Sequence, residues 1–135
     1  MPKAEQKKSN FKILVIDDSN LSTNTISSIL NSSGYTAVEQ ANSPVDGLAR
    51  SNSENFHLYI IDVVMPKISG IDLSREISNN TNSCILVMSS LDSENILIEA
   101  IASGAKDFLV KPFTADQLIT SVDKLYEFAI KEKIF

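Results

Sequence analysis

The stretch Leu58-Tyr59-Ile60-Ile61-Asp62-Val63-Val64-Met65-Pro66 constrains the chain more than any other. Four apolar residues, two of them β-branched, run into a single acid. A run so apolar and so short is the signature of a parallel strand buried on both faces. Pro66 and Gly70 keep the following segment from continuing as strand, which puts Asp62 at the strand's C-terminal end. In open α/β sheets ligands bind at that edge. A carboxylate there is costly to bury unless it is paired, metal-bound or used chemically. The rest of the chain is therefore expected to supply its partners.

The same pattern recurs on either side. Residues 11–16 form a compact apolar strand ending in Asp17-Asp18, and residues 35–40 a more polar one suited to a sheet edge. Residues 56–62 make the third strand, 84–88 the fourth, ending in Ser89-Ser90, and 106–110 the fifth, ending in Lys111-Pro112. Helical signals fill the gaps. Ser19 or Asp18 caps a first helix with Leu21, Ile26, Ile29 and Leu30 at helical spacing, and Gly34 closes it. Its many Ser, Thr and Asn residues are mediocre helix formers, so packing must hold it. Ser43-Pro44 opens a second helix with Val45, Leu48 and Ala49 expected inward. The third spans 70–78 around Ile71, Leu73 and Ile77, and the fourth runs from a cap at Asp92 or Ser93 to about 103, before Gly104. Thr114 caps the last, whose stripe is Leu118, Val122, Leu125 and Ala129, widened by Ile119, Tyr126 and Ile130. Five alternations predict an α/β domain with a doubly wound, five-stranded parallel sheet, right-handed crossovers and helices on both faces. Residues 1–10 read as a flexible tail and 11–135 as one domain, the size 135 residues allow.

Composition narrows the function. A net charge of −5 argues against nucleic-acid binding by bulk electrostatics. Cys84 is the only cysteine, so an internal disulfide is excluded and a reducing compartment expected. No apolar run approaches membrane-spanning length, and residues 1–10, polar with Lys3, Lys7 and Lys8, are no signal peptide. A cytoplasmic location and no membrane partner are expected.

In a parallel sheet every strand's C-terminal end lies on one edge. The first strand delivers Asp17 and Asp18 there, the third Asp62, the fourth Ser89 and the fifth Lys111. Gathered carboxylates repel one another strongly at low dielectric. A cation relieves this, and an all-oxygen site suits Mg²⁺, with Mn²⁺ as a substitute. A bound divalent ion would neutralise an incoming phosphoryl group, while lysine and serine met its oxygens. Singly, each signal has a bland reading as helix cap, turn residue or solvated loop. Their convergence from four strand ends outweighs it.

With these residues in view the chain resembles the response-regulator receiver family, most closely its free-standing CheY-like members. The matching motifs are Ile-Asp-Asp at 16–18, Asp62 with Met65-Pro66 and Gly70, Val87-Met88-Ser89-Ser90, and the run from Gly104 through Lys111-Pro112-Phe113. The resemblance implies strand order 2-1-3-4-5 and phosphorylation of Asp62 by a histidine kinase. It implies Mg²⁺ held by Asp18, Asp62 and the Val64 backbone carbonyl, with Asp17 acting through water. It makes Ser89 and Phe108 the switch pair, assigns Lys111 to sensing the phosphoryl group, and implies a cis Lys111-Pro112 bond. The sequence departs from relatives in carrying apolar Val64 and Leu91 beside the site, Ser90 for alanine, and Phe108 where tyrosine is frequent.

Nothing follows Phe135 in the sequence, so output is expected through docking or transfer of the phosphoryl group. Leu97, Ile98 and Ile101, with Phe108, are the candidate partner surface, because they make the fourth helix more apolar than packing one face requires. The leading reading is a non-enzymatic signalling protein of the chemotaxis type, with a flagellar motor switch as target and a phosphatase to end the signal. The alternative is a phosphorelay intermediate serving a histidine phosphotransfer protein. A metal-dependent phosphatase using Asp62 as nucleophile ranks below both, since the acids in reach are committed to metal.

Overall fold

The computed structural model describes residues 7–90 and 94–135. Strands β1 (Ile13–Ile16), β2 (Val38–Ala41), β3 (Leu58–Asp62), β4 (Cys84–Ser89) and β5 (Asp107–Val110) form one parallel sheet in the order β2-β1-β3-β4-β5. They alternate with α1 (Asn20–Ser32), α2 (Pro44–Ser53), α3 (Gly70–Asn80), α4 (Glu94–Ala102) and α5 (Ala115–Lys131). This is the doubly wound architecture and strand order expected. The order reverses at β1 and β3, so the chain leaves those two strands toward opposite faces and opens a crevice between them.

Both faces of the central strands are apolar, with a period of two. Ile13, Val15, Leu58, Ile60, Leu86 and Met88 meet Ile26 and Leu30 of α1 and Leu118, Val122 and Leu125 of α5. Leu14, Ile16, Tyr59, Ile61, Ile85 and Val87 face Ile71, Leu73 and Ile77 of α3 and Ala100 of α4. Each such side chain contributes roughly 1.5–3 kcal/mol by leaving water. The caps are those the sequence predicts at Ser19, Ser43 and Thr114, the last forming a reciprocal box with Gln117. Ser69 caps α3. Capping of α4 by Asp92 or Ser93, like residues 1–6 of the expected tail, lies outside the described residues.

Four expectations are corrected. Leu21 is 79% exposed, because the buried stripe of α1 is Thr23, Ile26, Ser27 and Leu30. Val45 and Ala49 face solvent, and α2 turns Pro44, Gly47 and Leu48 inward. A Cβ on Gly47 would lie 2.7 Å from Ile16 Cδ1, so glycine sets how closely α2 seats on β1. Tyr35 belongs to no strand; it is fully buried, and its hydroxyl donates to Asp123 at 2.5 Å. Within the stretch expected to be loose, Lys8–Asn10 form a 3₁₀ turn, and Lys8 Nζ reaches Asp123 at 3.2 Å. An ion pair to α5 is invisible to local composition.

Candidate functional site

Ile16 stands opposite Ile61 in the sheet, so the next residues, Asp17 and Asp62, emerge side by side at its C-terminal edge. Asp17 continues the backbone ladder: its N–H donates to the Ala41 carbonyl at 3.1 Å, and its own carbonyl accepts from Asn42 Nδ2 at 3.3 Å. Past Asp62, the Val63 N–H donates to the Met88 carbonyl, and the Gly70 N–H returns to the Val63 carbonyl at 2.8 Å. That return brings Gly70 against the strand end. A Cβ there would lie 1.9 Å from the Asp62 carbonyl oxygen, so only glycine fits. Lys111 is delivered by the loop after β5, where its N–H donates to the Ser89 carbonyl at 2.8 Å and the Lys111-Pro112 bond is cis, as expected.

One oxygen from each of Asp17, Asp18 and Asp62 falls within 4.8 Å of the others. Asp17 and Asp62 are buried, whereas Asp18 is exposed. Lys111 Nζ bridges the buried pair, donating to Asp17 Oδ2 at 3.0 Å and lying 3.3 Å from Asp62 Oδ1. Asp17 Oδ1 also accepts from the Ser19 N–H at 3.0 Å. Burial pushes the Asp17 carboxyl up, but hydrogen bonds from the Ser22 hydroxyl, the Ser19 amide and Lys111 outweigh it and hold it below its ordinary value. Asp62 goes the other way. Burial raises it, Lys111 offsets only part of the rise, and the charges of Asp17 and Asp18 add to it. Burial works against the Lys111 ammonium, yet its two carboxylate partners hold it above its ordinary range.

With every acid ionised, three carboxylates and one ammonium leave two uncompensated negative charges among the described residues. Octahedral Mg²⁺ places its ligands about 3–4 Å apart, and it takes hard oxygen donors. The cluster supplies three hard oxygens within 4.8 Å of one another, a donor set that suits such an ion. Val64 follows in the loop with a 55% exposed side chain, so it stands at the mouth of the site. Ser89 is fully buried at the end of β4, two residues past Val87, the sheet partner of Phe108. Phe108 is half-buried against the core on the α3 side. Leu91 lies outside the described residues.

On α4, Leu97, Ile98 and Ile101 are 40–60% exposed, and Val110 at the end of β5 is 42% exposed. The first three were legible in the sequence; Val110 was not, because an edge strand's last residue carries no periodic signal. Two further features escaped it. Lys111 ties the two buried acids directly. A groove of about 420 Å³ also runs between α1 and the β5–α5 loop, lined by Leu21, Ile26, Ile29, Pro112 and Phe113, with Lys111 and Ser90 among its polar residues. No sign of it was legible in the sequence, because Leu21 fits the helical spacing of the buried stripe.

Residues 13–123 match the model of the response regulator receiver domain family. The chemotaxis protein CheY of Bacillus subtilis is 31% identical over 114 residues, covering 84% of this chain and 95% of that protein. A CheY-like response regulator receiver domain from Methanospirillum hungatei superposes with a TM-score of 0.85 at 24% identity, over 90% of this chain and 97% of that one. A Burkholderia pseudomallei response regulator, solved with a phosphorylated aspartic acid, a calcium ion and citrate, gives 0.77 at 25% identity, over 90% of this chain and 72% of that one.

Proposed function

The chain belongs to the response regulator receiver domain family, and on that premise we propose that Asp62 takes a phosphoryl group from the phosphohistidine of a histidine kinase and that the α4–β5 face then changes its affinity for a downstream protein. The observation that carries this is the meeting of three carboxylates and Lys111 at the switch point of the sheet. An Asp62 carboxylate oxygen attacks phosphorus, the O–P bond forms as the N–P bond breaks, and the electron pair returns to the histidine ring. Asp62 is suited to the task because Lys111 and its own burial hold one oxygen in a fixed direction.

Asp17, Asp18, Asp62 and the Val64 carbonyl would hold Mg²⁺ or Mn²⁺, which when bound supplies charge neutralisation for the phosphoryl group. Lys111, already between Asp17 and Asp62, shifts its second contact to a phosphoryl oxygen. Ser89 donates its hydroxyl to another, and Phe108 fills the space Ser89 vacates, which carries the change toward Leu97, Ile98 and Ile101. The phosphorylated aspartic acid of the Burkholderia pseudomallei protein supports the first step. The Bacillus subtilis relative is a chemotaxis protein, which supports a chemotaxis-type output; on this reading the target is a flagellar motor switch and a separate phosphatase ends the signal.

The groove beside Lys111 favours a second use of the same chemistry, transfer onward to a histidine phosphotransfer protein, because it offers apolar surface next to Asp62 rather than on α4. Phosphorylation with acetyl phosphate and Mg²⁺ tests the core of the proposal. Acid-labile label is expected on wild type and absent from Asp62→Asn; undiminished label on that variant moves the site elsewhere. A Leu97→Ser, Ile101→Ser double variant separates the two outputs, since it should lose phosphorylation-dependent partner capture while keeping transfer to a histidine domain.

A further inference from the structure

The opposite end of the sheet holds the only histidine, and the phosphorylation chemistry does not use it. His57 lies immediately before β3, where its main chain joins β1 to β4: its N–H donates to the Lys12 carbonyl at 2.8 Å, and its carbonyl accepts from the Cys84 N–H at 2.9 Å. Its ring is used too. Nδ1 accepts the Lys12 backbone N–H at 2.9 Å, which requires the neutral imidazole with its proton on Nε2. The ring stacks on Phe11 at 5.5 Å and 10°, and Phe135 closes edge-on at 4.5 Å.

Phe135 reaches this position by a hook. Lys133 takes φ +58° and ends α5, after which the N–H groups of Ile134 and Phe135 both turn back to the Ala129 carbonyl, at 2.9 and 3.3 Å. The Phe135 ring then completes a cluster with Phe11 and Tyr126 at 5.3 and 6.0 Å.

We propose that His57 is a proton-operated latch for this hook: neutral, it holds Phe135 on the base of the sheet, and protonated, it releases it. A proton on Nδ1 turns the acceptor into a donor facing another donor, and flipping the ring leaves the Lys12 amide equally unpartnered. The imidazole must then leave its stack, and Phe135 loses its nearest ring.

The charged groups around the ring agree with this direction. From β1 comes the Lys12 ammonium, which opposes a second positive charge; from the end of α2 comes Glu54, already engaged by Arg50 at 3.0 Å and Lys12 at 3.5 Å. From α5 comes Tyr126, neutral throughout. Burial, with Lys12, holds the imidazole below its ordinary value.

The test is an NMR titration of the full chain from pH 8 to 4.5, following the single histidine resonance together with the Phe135 amide. One shared midpoint below about 6.5 is expected, with Phe135 gaining fast motion on the acid side. In His57→Gln, which keeps an uncharged acceptor, Phe135 should stay ordered across this range. Coupling is reciprocal, so Phe135→Ala, which leaves the sheet intact, should raise the histidine midpoint by about half a unit, a roughly threefold change. An unchanged midpoint in Phe135→Ala overturns the proposal. So does a hook held more firmly at low pH.

Discussion

Lys111→Ala removes the cation that bridges the buried acids, and its consequences follow from the geometry. At an effective dielectric of about 20, contacts at 3.0 and 3.3 Å are each worth roughly 5 kcal/mol before desolvation. Most of that is already spent in taking the groups out of water. Deleting one partner of a fully buried pair costs about 3–5 kcal/mol, and a Lys111 side chain 26% exposed lowers this to about 2–3 kcal/mol. In EDTA at pH 7 the urea midpoint should therefore fall by about 1–2 M. Adding Mg²⁺ should reverse the loss, because the variant site carries three uncompensated charges where wild type carries two. By mass action an ion at one hundred times its Kd stabilises by about 2.7 kcal/mol. The variant should bind Mg²⁺ more tightly than wild type and gain more from it, while its phosphorylation no longer changes partner affinity. A variant as stable as wild type in EDTA, or one gaining less from Mg²⁺, would refute the electrostatic account of the site.

Asp62→Asn should make the metal-free protein more stable at pH 7. The Asp62 carboxyl is raised by burial, so ionising it above that raised value works against folding, and wild type should gain stability as pH falls toward it. Equal urea midpoints in EDTA would contradict this, and Mg²⁺ should reverse the difference. Gly70→Ala drives a Cβ into the Asp62 carbonyl and should cost about 3 kcal/mol or more, read by chemical denaturation, with Mg²⁺ affinity falling alongside. Val64→Asn brings a polar group to the mouth of the site. It should shorten the lifetime of phospho-Asp62 about three- to tenfold under saturating Mg²⁺ by helping to orient water, and an unchanged decay rate would show that this side chain does not set it.

The sequence alone determined the architecture and the site's chemistry. Short apolar runs buried on both faces, each ending in a polar residue and each followed by a capped helix, admit few arrangements but a doubly wound parallel sheet, and that sheet brings its strand ends to one edge. Asp17, Asp18, Asp62, Ser89 and Lys111 were legible for that reason, because strand polarity converts a position in the chain into a position in space. What lay beyond the sequence depends on distances between segments remote along the chain. The inward face of α2 was misread because Gly47, featureless in composition, is what lets the helix seat on Ile16. Leu21 satisfied the helical spacing yet points outward, since only the position of α5 decides which side of α1 is covered. The direct tie from Lys111 to Asp17 spans 94 residues, and the stack of Phe11, His57 and Phe135 joins both ends of the chain. Local propensity sees only a few residues at a time, whereas ion pairs and ring stacks form between whatever side chains the packed sheet brings within a few ångströms.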